Sequence, residues 1–188
     1  FVVAHFHMVM GVSPVLVLFA AIYHWFPKIS GRMFDEKLGK IHFWGTFLGT
    51  YAIYLPMHYI GALGVPRRYF ALGTTDFIPE SAFELNAAIT VSALIVAAIQ
   101  VVFFINVFKS LWKGEKAYPN PWEATSLEWH TPHTPPHHGN WGPNLPVVYR
   151  WAYEYATPGV KEDFVPQSVP PGDVVMKKKG DVFKESEH

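Results

Sequence analysis

Three stretches of the chain contain no Asp, Glu, Lys or Arg: Phe1–Pro27, Ile41–Leu63 and Leu85–Phe108. Each exceeds the ~20 residues that cross ~30 Å of hydrocarbon as a helix. None shows the charged face at helical spacing that a helix on a soluble core would carry. The pattern predicts an all-α integral membrane protein with three transmembrane helices at about 1–26, 41–63 and 82–112. An extended Pro-rich tail follows over 113–188. Pro14, beside Gly11, and Pro56 predict kinks, because each removes a backbone donor from the helical ladder. Gly45, Thr46, Gly49 and Thr50 place small residues at a spacing of four, which permits close helix packing. Gln100 and Asn106 are expected to hydrogen-bond to neighbouring helices, and Glu80 and Glu84 to sit favourably at a helix amino end.

The polar connections orient these spans. Lys28, Arg32, Lys37 and Lys40 lie in the first loop, and Lys109, Lys113 and Lys116 follow the third helix, whereas the second loop has only Arg67 and Arg68. Basic residues favour the cytoplasmic side. Loop 28–40 and the tail are therefore expected in the cytoplasm. Loop 64–81 is expected outside, together with the amino end of the first helix. His24 and His42 then fall at the cytoplasmic ends and read as interfacial. Eleven of the sixteen prolines lie between Pro119 and Pro171, which excludes long helices there. The aromatics of the tail (Trp122, Trp129, Trp141, Tyr149, Trp151, Tyr153) read as packing on a partner. Lys177 through His188 reads as charged and disordered.

Composition sharpens this picture at a few points. Charged residues are 16% of the chain and the formal net charge is zero, so nothing points to nucleic acid. The chain has no Cys, which excludes disulfides and thiolate chemistry. It opens on Phe with no signal-peptide pattern, as expected for a piece of a longer chain or a processed subunit.

The chemistry centres on His5-Phe6-His7. On an α-helix, residues two apart point about 200° away from each other, so the two imidazoles cannot grip one ion and each can serve a separate partner. A His within a span is costly and points to a functional site, and neutral imidazole is an axial ligand for haem iron. Hydrogen bonding of each His to a neighbouring helix is the other reading, and the residues alone leave both open. Arg67-Arg68 are adjacent like charges that suit anions between them, such as haem propionates, or serve as interfacial anchors. They gain weight by lying on the same side as the His pair. His58 reads as structural. His130, His133, His137 and His138 lie in a Pro- and Thr-rich loop without a nearby carboxylate and read as a loop rather than a metal site. A non-catalytic transporter segment whose intramembrane His bind an ion is the alternative of another class.

Phe1-Val-Val-Ala-His-Phe-His7 resembles the tenth transmembrane helix of subunit I of the cytochrome c oxidases, in the haem–copper oxidase superfamily. His24-Trp25-Phe26-Pro27, Lys40-Ile41-His42-Phe43, Pro56-Met57-His58-Tyr59-Ile60-Gly61 and Pro66-Arg67-Arg68-Tyr69 follow in the family's order. So do Asn120-Pro121-Trp122, Leu127-Glu128-Trp129 and the stretch 136–155. Met8 stands where many members have Tyr. The resemblance implies the last three helices of a twelve-helix bundle. It implies that His5 ligates a high-spin haem where oxygen is reduced and His7 a low-spin haem, both a-type. Phe6 would lie between the haems, and Arg67 and Arg68 would bind their propionates. The ligands of copper B would lie on sequence preceding this chain. The implied enzyme takes electrons from cytochrome c, reduces O2 to water and pumps protons, with ubiquinol oxidases as the alternative branch. Its partners would be the rest of subunit I, oxidase subunits II and III, cytochrome c and the lipid bilayer. Its location would be a bacterial inner membrane.

Overall fold

The structure, a computed structural model, describes residues 1–68, 76–131, 135 and 139–176. Tyr69, His133, His137, His138 and the charged end from Lys177 to His188 lie outside the described residues. The chain divides into two compact units, Phe1–His24 with Phe34–Gly114, and Trp25–Met33 with Glu115–His188.

The first apolar run folds as α1 (Val2–Phe6), a π-helical turn (His7–Val12) and α2 (Ser13–Ser30). Pro14 cannot return an N–H to the preceding turn. Rather than simply interrupting one α-helical ladder, the chain takes a wider turn immediately upstream, and the Ser13 hydroxyl donates to the Met8 carbonyl at 3.2 Å. The helix also runs past the expected end at Phe26. Pro27 lies within its last turns, where the Ser30 hydroxyl donates to the Phe26 carbonyl at 2.7 Å and the Gly31 N–H to the Pro27 carbonyl at 2.9 Å. Gly31 then leaves the helix at φ +70°, a left-handed cap that glycine adopts freely.

α3 spans Glu36–Ala62 and α4 spans Glu80–Lys113. α3 begins five residues before the expected Ile41. The Asp35 carboxylate accepts from the N–H groups of Lys37 (3.0 Å) and Leu38 (3.1 Å), capping the helix, and Glu36 pairs with Lys40 at 2.9 Å. Pro56 lies within α3 without ending it. Two of the three expected spans, Val2–Ser30 and Glu80–Lys113, are helices long and apolar enough to cross a membrane. α3 has the length, but Tyr51, Tyr54, Tyr59, His42 and His58 make it less apolar.

α3 and α4 pack antiparallel through small residues. A Cβ on Gly45 would stand 2.9 Å from Ile99, and one on Gly49 would collide with Val96. Farther along, Ile53, Ile60, Ile78, Ala82 and Ile89 form the buried apolar cluster. The expected polar links are present. The Gln100 amide donates to Thr46 Oγ1 at 3.0 Å, and its Oε1 meets His42 Nε2 at 3.1 Å. The Asn106 side chain accepts from the Asp35 N–H and donates to the Asp35 carbonyl, each at 3.1 Å. His42 is packed between helices. It is 2% exposed, and its Nδ1 meets the Tyr23 hydroxyl at 3.1 Å. Partners on α2 and α4 hold it inside, a juxtaposition that charge counting along one chain does not reveal. The outer surfaces of α2 and α4 are apolar: Val17, Leu18, Leu94, Ile95 and Phe104 are all exposed.

In the second unit, single-turn 3-10 helices at Leu127–Trp129 and Pro171–Asp173 are joined by irregular chain and by isolated bridges such as Arg32↔Lys116 and Tyr155↔Phe164. The expectation that all tail aromatics pack on a partner does not hold for Trp129. It is buried within its own unit, with the Lys28 ammonium 5.8 Å from its ring centroid. Lys28 donates to the Glu128 carbonyl, and the Trp25 indole N–H donates to the Glu128 carboxylate, each at 2.7 Å. Buried Thr125 donates to the Ala152 carbonyl. Trp151 and Tyr153 remain exposed.

Candidate functional site

The two imidazoles of the opening segment stand where α1 gives way to the π turn. α1 is seated on α3 at closest range by Gly61, where any Cβ would collide with the Phe1 backbone. Ala4, between the contact and the His pair, is fully buried. The small residues of both helices therefore set how closely the His-bearing segment approaches α3.

His7 is the first residue of the π turn. Its Nδ1 lies 2.7 Å from the Val3 carbonyl. A carbonyl only accepts, so Nδ1 carries the proton and the lone pair of the neutral ring is on Nε2. The Phe6 ring is 4.2 Å away, centroid to centroid, and the Tyr54 ring of α3 stacks on His7 at 6.0 Å and 17°. His5 is exposed, and its ring meets His58 edge to face at 6.3 Å and 83°. His58 Nδ1 donates to the Tyr54 carbonyl at 2.6 Å. The two candidate ligands thus take different neighbours, one helical turn apart on α3. Among the described residues, no three His, Cys, Asp or Glu gather into a metal cluster.

Arg67 and Arg68 are both exposed and line a cleft of about 1010 Å³ together with Phe1–Ala4, Met57 and Asn86. The cleft therefore brings the arginine pair to the segment that leads directly into His5. Arg68 has φ 63°, a left-handed conformation that is uncommon for a residue with a Cβ. Among the described residues, neither guanidinium pairs with a carboxylate; the three ion pairs belong to Lys28, Lys40 and Lys109.

The donor set suits a metal-bearing planar group with acidic side chains. His7 presents a single nitrogen lone pair with its tautomer fixed by the backbone, the arrangement common for metal-bound His. The guanidiniums of Arg67 and Arg68 suit carboxylates. His130 differs: its Nδ1 donates to the Ser126 carbonyl at 2.8 Å, and its Nε2 accepts from the Asn120 amide at 3.2 Å, so both nitrogens are engaged. Sequence reasoning missed Tyr54 as a neighbour of His7. The signal was its spacing of four from His58, which puts both on one face of α3.

Residues 1–95 match the family described as Cytochrome C and Quinol oxidase polypeptide I. The "Alternative cytochrome c oxidase subunit 1" of Bradyrhizobium diazoefficiens is 63% identical over 171 residues, covering 91% of this chain and 29% of that protein. The "Cytochrome c oxidase subunit 1" of Synechocystis sp. is 47% identical over 135 residues, 72% of this chain and 23% of that protein. The protein of the same name from Thermostichus vulcanus is 44% identical over 155 residues, 82% and 27% of the two. The chain spans less than a third of the length of these relatives. With half of its residues matched by the family and strong identity to several members, the chain belongs to the cytochrome c and quinol oxidase polypeptide I family.

Proposed function

We propose that the chain is the carboxy-terminal part of the catalytic subunit of a terminal respiratory oxidase. The whole enzyme reduces O2 to water with electrons from cytochrome c and couples this to proton pumping across a bacterial inner membrane. His5 ligates the iron of the high-spin haem and His7 that of the low-spin haem. Phe6 stands between them, and Arg67 and Arg68 hold the propionates. Copper B, the remaining haem ligand and the earlier helices belong to the rest of subunit I. Subunits II and III complete the assembly. Helices 2–30, 36–62 and 80–113 all cross the bilayer, with the connection after Ser30 and the tail in the cytoplasm and the connection between Ala62 and Glu80 outside.

The observation that carries this reading is the His7 imidazole, whose Nδ1–H is committed to the Val3 carbonyl at 2.7 Å. It leaves one lone pair for a metal on a segment that adjoins a cleft lined by Arg67 and Arg68. When bound, the haems supply one-electron and oxygen chemistry. The chain's own contribution is to hold each ring nitrogen and to neutralise carboxylates. The family's description covers both cytochrome c and quinol as donors, and the relatives' names support cytochrome c.

The test is reciprocal loss in the full-length subunit. His5→Ala is expected to remove the CO-sensitive haem signal while largely sparing the low-spin band in reduced-minus-oxidised spectra. His7→Ala is expected to do the reverse. Equal loss of both signals in each variant would reduce the two histidines to folding residues, and no haem spectrum in the unaltered protein would sink the oxidase reading.

A further inference from the structure

We infer that one turn of α3, Tyr54–His58, orients both candidate haem ligands, with Tyr54 positioning His7 and His58 positioning His5. The inference rests on the ligand reading proposed above and adds residues that do not touch a metal.

An imidazole turns about its Cβ–Cγ bond, and one hydrogen bond restrains that torsion less tightly than a hydrogen bond and a packed ring together. For His7 the first contact is the Nδ1–H bond to the Val3 carbonyl. The second is the near-parallel Tyr54 ring, 6.0 Å away and tilted by 17°, within the range where ring pairs attract. Tyr54 is itself held by packing against the buried isoleucine cluster of α3 and α4. Its hydroxyl has no hydrogen-bond partner among the described residues, so the ring and not the hydroxyl does the positioning.

His5 lacks a backbone bond of the His7 kind among the described residues. Its plane is set by the edge-to-face contact with His58 at 6.3 Å and 83°. His58 is fixed in turn, because its Nδ1 donates to the Tyr54 carbonyl at 2.6 Å and its ring meets Phe1 edge to face at 5.1 Å. Tyr54 therefore acts twice, by its ring on His7 and by its carbonyl through His58 on His5. Replacing the Tyr54 side chain removes only the first action. The division of labour is thus separable by mutation.

The experiment uses the purified full-length oxidase with two spectroscopic readouts. One is the spread of electron paramagnetic resonance g-values of the oxidised low-spin haem, which reports the plane of its axial imidazoles. The other is the iron–histidine stretching band of the reduced high-spin haem. Tyr54→Leu is expected to shift the g-values and leave the stretching band in place, and Tyr54→Phe to keep the unaltered g-values. His58→Leu is expected to shift the stretching band alone. Both signals present but unmoved by Tyr54→Leu and His58→Leu would overturn the positioning and leave the ligands intact. Loss of both haems to the same extent in Tyr54→Leu and in the volume-keeping Tyr54→Met would also overturn it. Absence of both signals in the unaltered protein would instead remove the ligand reading, and this inference with it.

Discussion

Two histidine environments on the same helical unit make opposite use of the same side chain. His42 is buried, with Tyr23 on one ring nitrogen and Gln100 on the other. His7 is half-buried, with one nitrogen held by its own backbone, and His5 is exposed. All three lie in charge-free sequence, and hydropathy treats them alike. The difference lies in what is left over. His42 has no spare lone pair and ties three helices together, while His7 keeps one. Depth in a hydrophobic run does not separate these side chains; the partners of their ring nitrogens do.

The largest effect that would break this contrast is expected at His42 itself. His42→Ala removes the partner of both Tyr23 and Gln100 and leaves a cavity. Interhelical hydrogen bonds in a bilayer are worth about 0.6 kcal/mol on average and up to about 2 kcal/mol, and truncating a large core side chain to Ala costs about 2 kcal/mol or more in all. The variant should lower the thermal midpoint of the purified protein and reduce both haem signals in parallel, unlike the selective losses expected for His5→Ala and His7→Ala. A selective loss in His42→Ala would erase the distinction between the two environments.

Next in size is the packing that joins the two environments. Gly49→Leu puts a branched side chain where even a Cβ collides with Val96, and overpacking costs typically about 1–3 kcal/mol. Destabilisation measured by denaturant or heat should exceed that of Ala52→Leu, an exposed position on the same helix. Equal effects would mean that α3 and α4 are not held at this distance by their small residues. A smaller, purely electrostatic effect is expected from Arg67→Gln with Arg68→Gln. Removing positive charge beside carboxylates should lower haem midpoint potentials in a redox titration, with little change in thermal stability because both side chains are exposed.

Much of this architecture was legible from charge-free runs and small-residue spacing, because helix length and close approach are local properties. The Gly45 and Gly49 contacts and the bonds of Gln100 and Asn106 follow from residues whose character admits few alternatives. The early start of α3 was hidden by Glu36, Lys37 and Lys40, which look like loop until Asp35 is seen as their cap. The π turn at His7–Val12 was hidden because a missing donor at Pro14 does not say how the ladder will adjust. The contacts of His42 and Tyr54 were missed for a third reason: their partners are on other helices, at sequence separations that periodicity does not encode.

The smallest expected effect tests the end of the unit opposite the Arg67–Arg68 cleft. Lys109 Nζ lies 2.6 Å from Asp35 Oδ2. That hydrogen bond, followed by the Leu38 N–H, holds the Asp35 carboxyl below the usual carboxylate range. A depressed folded-state pKa means the folded state binds its proton less readily than the unfolded state. The stabilisation is therefore fully present above the ordinary carboxylate pKa of about 4 and is lost as pH falls through the lower folded-state value. Between neutral pH and about pH 5 this group should contribute no slope. Asp35→Asn retains a capping side chain but cannot ionise, so its thermal midpoint should converge with that of the unaltered protein as the pH drops below about 4. The effect is small because both side chains are partly exposed and solvent screens them. If the gap between the two proteins stays constant from neutral to acid pH, Asp35 acts through its cap geometry alone, and Lys109 adds nothing to the anchoring of α3.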